Sequence, residues 1–133
     1  MTYMLDTNTI IHYLRNHHKV LKNIYEANSG AAVLKIPVVV DYELRRGFRR
    51  TSASKKEELY QVLLKTCRMV EMNDIIWAKA IEVYIELRQK SFSVGEMDIL
   101  IAASCLVHDC VLVTNNTADF ENIDDLKLLD WTI

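Results

Sequence analysis

The 133-residue sequence lacks several features that would have narrowed its class at once. No apolar run approaches the length of a bilayer-spanning helix; Val38 to Val40 and Ile99 to Ala103 are among the longest. The N-terminus shows no sequence of charge, apolar run and cleavage site. Both absences lead to the expectation of a cytoplasmic protein without a membrane partner. Cys67, Cys105 and Cys110 are odd in number and show no CxxC spacing, so they read as reduced core thiols, not as a disulfide frame or a zinc site. No repeat, low-complexity tract or linker divides the chain, and its length suits one domain, 1–133.

A strong charge of either sign is also missing. Sixteen basic residues face eighteen acidic ones, for a net charge of −2, which does not advertise a nucleic-acid binder. Distribution matters more than the sum. If four of the acids are metal ligands, fourteen remain against the sixteen basic residues, and the rest of the surface is slightly positive.

What is present is an alternation of short apolar runs with helical patterns, the mark of an α/β fold with a largely parallel sheet. Tyr3 to Leu5 reads as a buried strand stopping at Asp6. Ile10, Leu14, Leu21, Ile24 and Tyr25 have helical spacing, interrupted around Asn16 to Lys19, so one helix or two follow. Asn28, Ser29 and Gly30 signal a turn. The β-rich run Val33 to Val40 contains Pro37, which argues for an edge-like or first-residue position and places the strand's start near Ile36. Asp41 reads as the cap of the next helix, and Ser54 with Glu57 as a capping box opening another. Met69 to Met72 reads as a third strand. Ile76, Ala80, Val83, Tyr84 and Leu87 line one face of an amphipathic helix that starts after Asn73. Beyond the break at Ser91 to Gly95, a helix apolar nearly all round carries Asp98 in its first turns. Val111 to Val113 and Leu126 to Trp131 read as the last two strands.

Ligands of an open α/β sheet gather beyond the carboxyl ends of its strands. This chain puts Asp6 after the first strand, Glu43 within a helical turn of the second, Asp98 near a helix start before the fourth, and Asp119 after the fourth. Each acid alone reads equally well as a helix cap. Together they would repel one another unless a cation gathers them. All-oxygen ligands without His or Cys suit Mg²⁺ or Mn²⁺, ions that act on phosphodiesters. Glu96, two residues from Asp98, points elsewhere on its helix and suits a solvated or capping role.

Four segments carry a family resemblance. Tyr3-Met4-Leu5-Asp6-Thr7-Asn8, Glu43-Leu44-Arg45-Arg46-Gly47, Gly95 to Ala103, and Val113 to Phe120 resemble, in order, the motif regions of the PIN-domain family. The ending, with Leu126, Leu129, Asp130 and Trp131, is similar to that of its VapC toxin branch. The resemblance implies a single PIN-like domain with a parallel sheet of about five strands flanked by helices. It implies Mg²⁺- or Mn²⁺-dependent cleavage of RNA, tRNA included among the candidate substrates, homodimerisation, and inhibition by a VapB-type antitoxin. It implies that Asp6, Glu43, Asp98 and Asp119 form the catalytic metal site, with Asn8 and Asn116 as supporting polar groups.

Arg45, Arg46, Arg49, Arg50, Lys55 and Lys56 crowd a twelve-residue window without an acid. They read either as RNA-phosphate contacts, Arg46 first among them, or as a solvated helix face. His12, His17, His18 and His108 read as surface or packing residues, and Trp77 and Trp131 as packing residues before base-stacking ones. Three rival functions stand beside the nuclease. A haloacid-dehalogenase-like phosphatase would want a second Asp where Asn8 stands and a well-placed Lys; a non-catalytic RNA-binding module on the same fold would have no need of the complete acid set. A receiver-type phosphoacceptor would cluster its acids after the first strand.

Overall fold

A computed structural model describes residues 1–133. Strand β1 (Thr2–Leu5) leads into α1 (Thr7–Leu14) and α2 (His18–Ser29); β2 (Val33–Pro37) leads into α3 (Val38–Arg50) and α4 (Ser54–Leu64). Then come β3 (Cys67–Val70), α5 (Asp74–Gln89), α6 (Glu96–Val107), β4 (Val111–Val113), the single turn α7 (Thr117–Phe120) and β5 (Lys127–Leu129). The five strands form one sheet in the order β3-β2-β1-β4-β5, and every neighbouring pair is parallel. The α/β class and the five-stranded parallel sheet are therefore as the sequence indicates.

The strand order fixes where chemistry can happen. From β1 the chain builds outward to β2 and β3 on one side, then returns to add β4 and β5 on the other. The crevice between the carboxyl ends of β1 and β4 is thus a topological switch point, where the following segments diverge and leave room for a ligand. Apolar side chains make one core: Met4, Leu5, Leu34, Ile36, Leu112 and Val113 from the inner strands pack with helix residues such as Ile10, Val20 and Val40. Helix α6 buries Ile99, Ile101, Ala102, Ala103 and Cys105, so its nearly all-round apolar sequence reflects its place inside the fold. The three cysteines are free, and the Cys105 thiol donates to the Cys110 carbonyl at 3.2 Å.

Several local expectations are corrected. The interrupted pattern after Asp6 resolves into two helices, parted by Asn16 in the left-handed region (φ 61°). Pro37 ends β2 instead of lying near its start, and β2 is interior, between β1 and β3. Its missing N–H is tolerable because the chain leaves the sheet there, and its φ of −66° suits the N-cap of α3. Val38 to Val40 turn into that helix, tertiary packing overriding their β-branched preference. Asp41 does not cap α3; it accepts from Arg45 Nε at 3.0 Å and from the Tyr60 hydroxyl at 2.6 Å. Ser54 makes no capping bond either. Ala53 is the N-cap of α4, and Glu57 pairs with Arg49 at 3.4 Å. Strand β3 begins at Cys67, two residues before the expected Met69, and β5 is confined to Lys127–Leu129.

Candidate active site

Asp6 is the first residue beyond β1 and the one buried charged residue, 4% exposed. Its amide continues the sheet by donating to the Val113 carbonyl at 3.0 Å, which locks the end of β1 to the end of β4. As N-cap of α1 it accepts from the Thr7 amide at 2.8 Å through Oδ1, and its Oδ2 accepts from the Thr114 hydroxyl at 2.7 Å. Thr114, fully buried, is held in turn: its amide donates to Leu129 O at 3.0 Å and its Oγ1 accepts from the Asn116 amide at 3.0 Å. Burial raises the Asp6 pKa, the two hydrogen bonds work against that rise, and the charges of Glu43 and Asp119 add to it.

The other acids arrive from three further elements. Glu43, half-buried on α3, accepts from the Thr7 hydroxyl at 2.8 Å, so adjacent residues at the start of α1 orient two of the four carboxylates. Asp98 lies in the first turn of α6 and Asp119 in α7, the latter exposed. Burial foremost, then the charges of Asp6, Asp119 and Glu43 in that order, push the Asp98 pKa up to about 6. Asp6 and Asp98 thus lie within the influence of the other acids across the switch point, and none of the four belongs to an ion pair: the five in the molecule use Glu26, Asp41, Glu57, Glu82 and Asp124.

Four like charges in mutual reach with no basic partner fit a divalent cation. No three Asp, Glu, His or Cys side chains are drawn together tightly enough to enclose an ion unaided. That openness suits Mg²⁺ or Mn²⁺, which keep several waters and seldom sit in an all-protein cage.

The remaining predicted residues lie around this centre. Asn8 is half-buried in the first turn of α1, and Asn116 caps α7 without a side-chain bond. Arg45 and Arg49 are engaged with Asp41 and Glu57, and Arg46 lies exposed with its guanidinium 5.0 Å from the Tyr42 ring centre. Arg50 shares a cleft of about 340 Å³ with Glu43, Thr7, Arg15 and Lys56, over a floor that includes Ile11, Leu14 and Phe48. A smaller cleft of about 200 Å³ opens on the other side, lined by Phe92, Gly95, Asp98, Asp119 and Asn122. Sequence reasoning missed Thr7 and Thr114 as the hydroxyls that hold the acids, though both flank motif residues. It also missed Asn115, whose Nδ2 lies 3.2 Å from His12 Nε2 while its buried Oδ1 has no partner.

The chain is similar to known proteins over nearly its whole length. Residues 3–126 match the model of the PIN domain. A curated relative named ribonuclease VapC2, from Rickettsia felis, is 31% identical over 135 residues that cover 98% of each chain. Another, the tRNA(fMet)-specific endonuclease VapC of Salmonella typhimurium, is 28% identical, again over 98% of each. Among solved structures, a chain from the VapBC2 complex of Rickettsia felis bound to a DNA fragment from its promoter superposes with a TM-score of 0.91. It is 26% identical, and the match covers 98% of this chain and 99% of that one.

Proposed function

The chain belongs to the PIN-domain family, and we infer that it is a VapC-type toxin, an endoribonuclease that cleaves cellular RNA with a divalent cation and is neutralised by a VapB-type antitoxin. The observation that carries this reading is the set of four carboxylates, without a counter-charge, at the switch point of the sheet. When bound, Mg²⁺ or Mn²⁺ supplies Lewis-acid stabilisation of a phosphodiester and acidifies water. Asp6, Glu43, Asp98 and Asp119 would hold the ion. Thr7 and Thr114 fix Glu43 and Asp6, and Asn8 and Asn116 are the nearby amides for orienting waters or substrate oxygens.

Arg50, Lys56 and Arg15, beside Glu43, are better placed for RNA phosphates than Arg45 and Arg49, whose charges already have partners. The same apolar-floored cleft suits the antitoxin's tail, with an antitoxin Arg standing in for the cation. Helix α5 leaves Trp77 48%, Ile81 65% and Ile85 48% exposed, four residues apart along one stripe, an unpartnered apolar face on which we place the homodimer. Structured RNA, tRNA first, is the substrate class to test, since the Salmonella relative is named for a tRNA. The phosphatase reading is not favoured, because Asn8 stands where a second Asp would act as acid and base.

The test uses the purified protein freed of any partner. It should cut RNA only with Mg²⁺ or Mn²⁺ and leave a 5′-phosphate and a 3′-hydroxyl, with water and not the 2′-hydroxyl as nucleophile. Asp6→Asn should abolish cleavage. Cleavage that survives excess chelator, or that yields a 2′,3′-cyclic phosphate, would transfer the chemistry to histidines and end this reading.

A further inference from the structure

Phe92 stands where burial alone does not place it. The chain leaves α5 through Ser91 in the left-handed region (φ 64°), and the Phe92 amide is tied back to the Leu87 carbonyl at 2.9 Å. The ring it carries stays 41% exposed beside two carboxylates, in the cleft that also holds Asn122. At about 200 Å³ that cleft is below the range of pockets for drug-sized ligands, and its size suits a single flat ring system. An exposed aromatic supplies a stacking face, and an amide supplies a donor and an acceptor for a base edge.

Beyond Phe92 lies a second cleft, of about 160 Å³, lined by Tyr84, Arg88 and Glu96 among others. The exposed Arg88 guanidinium lies 5.9 Å from the Tyr84 ring centre and takes part in none of the five ion pairs. A strand crossing the Phe92 ridge away from Asp98 and Asp119 would therefore meet a cation that no ion pair engages, with Glu96 in the same cleft wall.

Resting on the ribonuclease reading above, we propose that this cleft seats a nucleobase flanking the cleaved bond. Phe92 stacks on the base, Asn122 reads its edge, and Arg88 takes a phosphate farther along the strand. The carboxylates and Asn122 in the cleft wall disfavour a second copy of the chain there; the stripe of Trp77, Ile81 and Ile85 on α5 is the surface suited to that partner.

The experiment measures wild-type cleavage with Mn²⁺ of short single-stranded RNAs that differ only at the bases flanking the cut. Phe92→Ala and Phe92→Leu should lower kcat/KM by roughly 5- to 150-fold, mainly through KM, and Phe92→Trp should restore it. Asn122→Ala should bring the rates for the four flanking bases together. Arg88→Ala should weaken binding equally for all sequences and reduce the salt slope by about one. A 2-aminopurine at the stacked position should be quenched by wild type and not by Phe92→Ala. If the folded wild type cuts no RNA, the ribonuclease reading falls and this proposal falls with it. If wild type cuts while Phe92→Ala keeps its rate and base preference, the pocket alone is refuted. Phe92→Ala that changes the sedimenting mass but not the preference would assign the cleft to a second copy and likewise overturn it.

Discussion

The junction of β1 with α1 and the start of α6 each deliver an aspartate to the same cluster, by opposite means. Asp6 is buried, continues the sheet through its own amide, and has a hydrogen-bond donor on each carboxylate oxygen. Asp98 is half-buried at a helix start, and no hydrogen bond offsets the burial and repulsion that push its pKa to about 6. One carboxylate is set by the fold before any ligand arrives; the other is left in a state that a cation would relieve. For the proposed metal site, preorganising one ligand while leaving another to the ion keeps the cation-free protein foldable, since fixing every like charge in contact would destabilise it.

Thr114→Val gives the sharpest break of this contrast, because it removes Asp6's support and leaves Asp98 untouched. The shape is kept, but a buried carboxylate oxygen and the Asn116 amide lose their partner, which costs about 1–3 kcal/mol of stability. Activity should fall by about 10- to 100-fold, the usual loss when the support of a metal ligand is removed. Chemical denaturation and a cleavage assay measure both. A Thr114→Val protein of unchanged stability and rate would mean that the sheet alone positions Asp6.

The two aspartates also differ in how far the sequence disclosed them. Their places were legible, because the apolar run Tyr3 to Leu5 stops at Asp6 and the break at Ser91 to Gly95 precedes the helix that carries Asp98, and the resemblance of four ordered segments implied one site for them. The support under Asp6 was not legible. Thr114 reaches Asp6 only because Leu5 pairs in register with Val113, a contact across 108 residues that no local pattern encodes. Helix caps failed for a related reason: Asp41 and Glu57 have the chemistry of caps, but Tyr60, Arg45 and Arg49 offered them tertiary partners. Pro37 was misjudged because its lost donor matters only if the strand continues, and the sequence does not show that the chain turns there into α3.

The second way to probe the comparison is pH. A carboxyl with a folded pKa near 6, above its ordinary 3.8, contributes stability that is complete below the ordinary value and is lost as pH rises through about 6. Cation-free wild type should therefore lose stability at this site between pH of about 4 and about 7. Asp98→Asn should flatten that part of the profile while removing activity. Saturating Mn²⁺ should stabilise wild type by about 2.7 kcal/mol at a hundredfold excess over its Kd, and the variant by less. Matching slopes for the two proteins without cation would show that Asp98 bears no such stress.

The smallest effect isolates the backbone that leads to Asp98. Helix α5 ends with the Phe92 amide bonded to Leu87 O at 2.9 Å and the Ser91 amide to Arg88 O at 3.1 Å, the closing pattern that usually places glycine in the left-handed position. Here that position is Ser91, with φ 64°. A side chain in this conformation crowds the following carbonyl, and glycine removes the crowding while adding freedom to the unfolded chain. Ser91→Gly should therefore stabilise the protein by about 0.5–1 kcal/mol, read as a higher urea midpoint with an unchanged m-value. The slope of stability between pH of about 4 and about 7 should stay as in wild type, because the charges around Asp98 are unaltered. If Ser91→Gly flattens that slope, the difference between the two aspartates originates in the strained loop before α6, and the electrostatic account of Asp98 gives way to a conformational one.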